Sequence, residues 1–176
     1  MPPTLHTERL TLRPFVEADL DAYAAMCADA EVMRHIGAGG PVDRDIAWRQ
    51  MAHFAGHWVL RGYGMWAIEE RASGELVGRA GFLNPEGWPA NELGWLLGRP
   101  HWGRGYAYEA SLAAREHGRQ TMGLHGRLIS LIRAENARSL ALARRLGAQH
   151  EETIDFMGAT AQVWRHPPPS PSPSAR

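Results

Sequence analysis

The sequence predicts a single mixed α/β domain whose central strands run antiparallel. Three observations carry that prediction. The 176 residues, 44% hydrophobic and 22% charged, are about one domain's worth of ordinary globular chain, able to bury a sizeable core. Three strand-like runs in the middle of the chain are separated by turns too short for a crossover, so they must pair antiparallel. On either side the apolar spacing changes to the helical period, and the later strands are reached across helices, the connection a parallel pair requires.

Residues 9–13 (RLTLR) alternate polar and apolar side chains as a half-buried strand does, and Pro14 closes the run. Residues 15–30 read as a first helix, with Leu20, Tyr23, Ala24 and Cys27 at helical spacing, and HIGAGGP at 35–41 is a loop. A second helix is expected over 43–60, striped by Ile46, Trp48, Met51, Phe54 and Trp58 and ended by Gly62 and Gly64. Residues 65–70 and 76–83 are two strands joined at Ser73 and Gly74. After the loop NPEGWPAN, residues 92–97 (ELGWLL) form a further strand that runs into a glycine turn, and 107–122 have helix-forming composition. LISLI at 128–132 is a buried strand, Asn136 caps a last helix that Gly147 terminates, and 151–156 with 161–164 close the fold as a hairpin around Gly158.

Nineteen basic residues balance nineteen acidic ones, so no global field attracts nucleic acid or an anionic membrane. Cys27 is the only cysteine, which excludes an internal disulfide and a cysteine-based zinc cluster and suggests a reducing cytoplasm; it reads as a small buried hydrophobe. The start, MPPTLHTERLTLRP, lacks the apolar core of a signal peptide, and no run approaches the roughly 20 apolar residues of a membrane span. The chain is therefore expected to be soluble and cytoplasmic, with its domain over 1–166. The last residues, PPPSPSPSAR at 167–176, carry nothing large enough to anchor them and are expected to be a disordered Pro/Ser-rich tail.

WGRGYAYEA at 102–110 sets Gly103, Arg104 and Gly105 between a strand and a helix. Glycines there let backbone approach a ligand, and the N–H groups opening the helix suit an anion; a plain strand-to-helix turn has the same composition. GRPHWGRG has P-loop spacing, but Arg104 and Gly105 stand where lysine and Ser/Thr are needed. A dinucleotide fingerprint fails as well, because Tyr108 occupies its third glycine position.

ELGWLL, WGRGYAYEA, LISLI and ENARSLALARRLGA, in this order, closely resemble the GNAT superfamily of acetyl-CoA-dependent N-acetyltransferases. The likeness covers nearly all of 5–166, including the opening TERLTLRPFVEADLDA, and looks nearest to the branch with the ribosomal-protein alanine N-acetyltransferases. It implies a GNAT-like fold: a mostly antiparallel twisted sheet, helices on both faces, and a splayed strand pair that holds acetyl-CoA. It also implies that backbone N–H groups of Gly103, Arg104, Gly105, Tyr106, Ala107 and Tyr108 meet the pyrophosphate of acetyl-CoA, with Arg104 adding charge at the rim. Trp102 departs from the first position of that motif. The backbone of Leu96, Leu97 and Gly98 is expected to hydrogen-bond the pantetheine arm as an added strand would. Asn136 and Ser139 match the family's polar pair at the last helix, and they read equally as a plain N-cap and a solvated serine.

Acetyl transfer needs a neutral amine, a polarised thioester carbonyl and a stabilised thiolate. Glu92, on a strand among apolar neighbours, is the first candidate base; it also reads as a solvated or arginine-paired acid at a strand end. Glu135 is the second candidate, or merely complements a helix N-terminus. The oxyanion donor is expected near Leu97. The family's acid tyrosine would fall on Ala143, which leaves Ser139, a water or direct departure of the thiolate. His53 and His57 stand four apart but lack the other parts of a zinc site, so no metal is expected; surface or cleft roles fit them better. Trp66, Trp88 and Trp95 are expected to wall the acceptor groove, and Arg144 and Arg145 to lie on an exposed helix face or reach the 3′-phosphate.

The function implied is transfer of an acetyl group from acetyl-CoA to a primary amine, either a protein N-terminus or a small molecule, by direct attack in a ternary complex. A CoA-binding regulatory or interaction domain with little catalysis is the alternative. The residues leave a homodimer open.

Overall fold

The computed structural model describes residues 2–124 and 126–168, so the predicted tail lies outside the described residues save for Pro167 and Pro168. β1 (Leu5–His6), β2 (Leu10–Arg13), β3 (Met65–Glu70), β4 (Leu76–Leu83), β5 (Asn91–Leu97), β6 (Leu128–Ile132), β7 (Gln149–Phe156) and β8 (Ala159–Arg165) form one sheet in the order β1-β2-β3-β4-β5-β6-β8-β7. Every neighbouring pair is antiparallel except β5 and β6. The mixed α/β class and the mostly antiparallel sheet expected from the sequence are the ones observed.

α1 (Leu20–Ala28), the short α2 (Ala30–Met33) and α3 (Arg44–Arg61) cover one face of the sheet; α4 (Tyr106–Thr121) and α5 (Ala137–Arg145) cover the other. Alternation sets the two cores. Leu10, Leu12, Ile68, Val77, Phe82 and Leu93 bury towards α4, while Met65, Ala67 and Leu96 bury towards α1 and α3. α3 stops at Gly62, whose φ of +76° and N–H bond to the Trp58 carbonyl make a left-handed C-cap. β7 and β8 are joined by Met157 and Gly158, both at positive φ, as the twist of a two-residue hairpin requires.

Three expectations need correction. The helix expected over 15–30 begins only at Leu20, after a 3-10 turn at Glu17–Asp19, and breaks at Asp29. Asp19 holds the start by accepting two Arg13 guanidinium bonds at 2.8 Å each and the Val16 N–H at 2.8 Å. Asp29 is extended and its carboxylate accepts the Glu31 N–H, which restarts the chain as α2. Trp48 is 47% exposed, because the buried stripe of α3 runs through Ala47, Met51, Phe54, His57 and Trp58. β1, with two residues, is too short to show alternation.

Candidate active site

Gly103 and Gly105 sit at φ of +75° and +81°, left-handed backbone that favours glycine, and Gly105 caps α4. A Cβ on Gly105 would stand 3.4 Å from the Arg9 guanidinium. The first N–H to find a helical acceptor is that of Glu109, bonded to the Gly105 carbonyl at 3.1 Å. The N–H groups from Gly103 to Tyr108 therefore have no acceptor among the described residues, at the positive end of a 16-residue helix. Trp102, the departure from the family motif, donates its indole N–H to the Leu97 carbonyl at 2.9 Å and ties this turn to the end of β5.

β5 and β6 pair only at Asn91 with Leu128 and Glu92 with Ile129, after which the ladder stops. Ser130 staples the point of divergence by donating its hydroxyl to the Leu93 carbonyl at 2.6 Å. Because the Gly98 N–H bonds the Val77 carbonyl at 2.9 Å, antiparallel alternation turns the backbone of Leu96 and Gly98 to β4. That corrects the expected trio. Leu97 faces the gap, and its partner there is Trp95, a residue expected from the sequence only as an aromatic wall.

A cleft of about 500 Å³ runs from this gap to the start of α4. Leu96, Leu97, Gly103 and Gly105 line it, together with Tyr106, Ala107 and Tyr108. Asn136 and Ser139 reach it from α5. Gly98 does not; it is buried against Met26. Arg104 lines a neighbouring groove, its side chain 3.5 Å from Glu70 and its carbonyl accepting Arg9 at 2.8 Å. The cations that do line the cleft are Arg138 and Arg145, stacked 4.1 Å above the rings of Trp102 and Tyr108. Arg144 lies over Trp164 instead.

A second cleft, of about 360 Å³, opens on the α1 and α3 side and contains Glu92, Trp88 and His53. The two clefts meet at Trp95, Asn136 and Ser139. Burial pushes the Glu92 carboxyl above its ordinary value, against the opposing pull of the Trp88 indole N–H at 2.6 Å, the Arg79 charge and the Leu131 N–H. Glu135, the second candidate base, is exposed and lines neither cleft. Asn136 accepts the Ser139 N–H at 3.2 Å as a true N-cap, and Ser139 Oγ accepts the Trp95 indole N–H at 3.1 Å, leaving its own proton to donate. Ala143, where the family tyrosine would stand, is fully buried.

The histidine pair divides. His53 is exposed at the second cleft, whereas His57 is buried and locks two loops, with Nε2 accepting the Asn84 N–H at 2.9 Å and Nδ1 donating to the Tyr63 carbonyl at 2.6 Å. With both ring nitrogens engaged, His57 is neither a surface nor a cleft residue. Trp66 is likewise no wall: it is fully buried and donates to the Pro3 carbonyl. Among the described residues, no helix is long and apolar enough to cross a membrane.

The family model described as an Acetyltransferase (GNAT) domain matches residues 9–149. The uncharacterised N-acetyltransferase p20 of Bacillus licheniformis is 32% identical over 151 residues, covering 84% of this chain and 83% of that protein. The crystal structure of an acetyltransferase from Agrobacterium tumefaciens is 36% identical, with a TM-score of 0.84 over 94% of this chain and 95% of that one. The fold is shared more distantly with RimL, a ribosomal L7/L12 alpha-N-protein acetyltransferase solved in complex with coenzyme A, at 18% identity and a TM-score of 0.75 over 93% and 96% of the two chains.

Proposed function

The chain belongs to the GNAT acetyltransferase family, and from that premise we propose that it moves the acetyl group directly to a primary amine in a ternary complex. Membership makes it an acetyl-CoA-dependent acetyltransferase; the acceptor and the residue roles are the proposal. One observation carries it: the row of free N–H groups at α4 and the carboxyl of Glu92 open onto two clefts that meet in the gap between β5 and β6.

The residues fit acetyl-CoA, because six consecutive backbone donors at a helix start suit a pyrophosphate and a strand edge suits an amide-bearing arm. When bound, acetyl-CoA supplies the thioester carbonyl that the amine attacks. Trp95 and Leu97 present backbone to the arm, and a Leu97 or Trp95 N–H faces the developing oxyanion. Glu92 takes the proton of the attacking ammonium, a task for which its raised pKa suits it. As the C–N bond forms and the C–S bond breaks, the proton that the nitrogen sheds on becoming an amide reaches the departing sulfur through the Ser139 hydroxyl, which gives one proton and takes another.

The test is calorimetric titration with acetyl-CoA, then thiol release with a panel of amines and N-terminal peptides. Glu92→Gln is expected to lower turnover by about 10²–10⁴-fold while leaving acetyl-CoA affinity unchanged, with wild-type activity falling as pH drops through the Glu92 pKa. Unchanged turnover, or a flat pH profile, removes Glu92 from this role.

A further inference from the structure

Arg79 on β4 is only 8% exposed, yet it lines the same cleft as Glu92. It has no carboxylate within ion-pair distance among the described residues. Its Nε donates to the Tyr23 hydroxyl at 3.2 Å, and that hydroxyl in turn donates to Gln50 Oε1 at 2.8 Å. Nη1 touches the Met65 sulfur at 3.7 Å, and the guanidinium lies 5.1 Å from the centre of the Phe54 ring. All of these neighbours are neutral. They fix the group from behind, and Nη2 has no hydrogen-bond partner among the described residues. Nη2 borders the cleft, so the part of the fork that these groups leave unused is presented to an anion entering there.

The register sets Arg79 against Glu92. Glu92 pairs with Leu83, Gly94 with Gly81, and Leu96 with Arg79, so the two charged groups share one face of the sheet. Four residues of strand place their backbones ~13 Å apart, a span that the two long side chains shorten from both ends. Between them lies the Gly81 and Gly94 pair, covered by the Met65 side chain, whose methyl is 3.0 Å from where a Cβ on Gly94 would stand. Position 81 can hold nothing larger, because a Cβ there would come within 2.3 Å of the Gly64 carbonyl oxygen. The cleft thus has a proton acceptor at one end, a planar two-pronged cation at the other, and between them two glycines covered by the flexible Met65 side chain.

We propose that Arg79 determines the acceptor class by binding a carboxylate on the acceptor itself, so that the substrate is a small amino-carboxylate of the amino-acid type. This rests on the transferase reading above. A carboxylate satisfies the fork of Arg79 with two parallel charge-assisted bonds, while the amine a few bonds away lies towards Glu92. The start of a protein chain presents a neutral peptide group there and leaves the buried cation unpaired.

The experiment compares free L-amino acids with their C-terminal amides and with N-terminal peptides, at saturating acetyl-CoA, in the wild type and in Arg79→Lys and Arg79→Met. In the wild type the acids are expected to exceed their amides in kcat/KM by ~10²-fold, mainly through KM. Arg79→Met should bring that ratio to within about twofold, and Arg79→Lys, which keeps a charge but loses the fork, should lower it by at least about fivefold. The acetyl-CoA Kd should stay constant, which also verifies folding; if Arg79→Met does not fold, Arg79→Lys decides. Amides or peptides used as well as the acids, or a preference that survives both variants, overturns this inference and leaves the transferase standing. Acetyl-CoA binding without turnover of any acceptor overturns both.

Discussion

Glu92, as the proposed base, sets function and stability against each other at one residue. Burial raises its pKa, so the native state holds a proton that the unfolded chain releases, and stability falls as pH rises between the two values. Glu92→Gln removes the charge while its side-chain oxygen can still accept the Trp88 N–H, so this variant should melt higher at pH 7, by about 2–4 °C per ~1 kcal/mol relieved. A melting point at or below the wild type's would mean that the carboxylate is well solvated. Gly105 makes the reverse case. Gly105→Ala must hold φ at +81° with a Cβ facing Arg9, and is expected to cost ~1–2 kcal/mol and to weaken acetyl-CoA binding through the tilt of the N–H row; a calorimetric titration checks this. Asn136 and Ser139 were legible in the sequence because a cap has a local signature. Arg79 was not: within a strand pattern it looks like any solvated side chain, and its burial comes from Tyr23 and Phe54 far along the chain.

At the scale of elements, β3, β4 and β6 begin and end where their apolar runs do, because a strand's limits are set by local alternation and by the turns that bound it. The break at Asp29 was hidden, since 15–30 has helical spacing throughout and only the Asp29 carboxylate interrupts it. The backbone direction of β5 was hidden for another reason. Which residues face the gap depends on register with β4, and side-chain pattern says nothing of it. The staple at Ser130 gives a test at this scale. Ser130→Ala leaves the buried Leu93 carbonyl and His166 Nε2–H without their partner, and is expected to cost ~2–4 kcal/mol and to speed hydrogen exchange along β6. Unchanged protection there would show that the two strand pairs suffice.

The whole molecule should be acid-sensitive through His166. The Ser130 hydroxyl gives its proton to Leu93, so His166 Nε2 carries the hydrogen towards Ser130 at 2.9 Å, and Nδ1 faces Arg115 at 3.5 Å. Burial, aided by the charges of Arg115 and Arg119, lowers its pKa to about 3. Between that value and the ordinary ~6.5 the unfolded chain takes a proton that the native state refuses, so stability falls as pH drops through this window, by up to ~1.4 kcal/mol per pH unit. His57, also lowered by burial, acts in the same direction. Denaturant titrations from pH 7 to 4 should show the slope, and His166→Gln should flatten it; an unchanged slope would assign the acid sensitivity elsewhere.

Two residue pairs, the Ser130 hydroxyl and the Leu131 N–H on the Glu92 carboxylate join β5 to β6. Mechanically the sheet is two plates, β1 to β5 and β6 to β8, meeting along a weld much shorter than their edges. If the pantetheine arm binds in the opening as proposed, it would lengthen that weld, so the donor would toughen the protein along the line where it would tear, and each release of coenzyme A would return the two plates to their weaker joint.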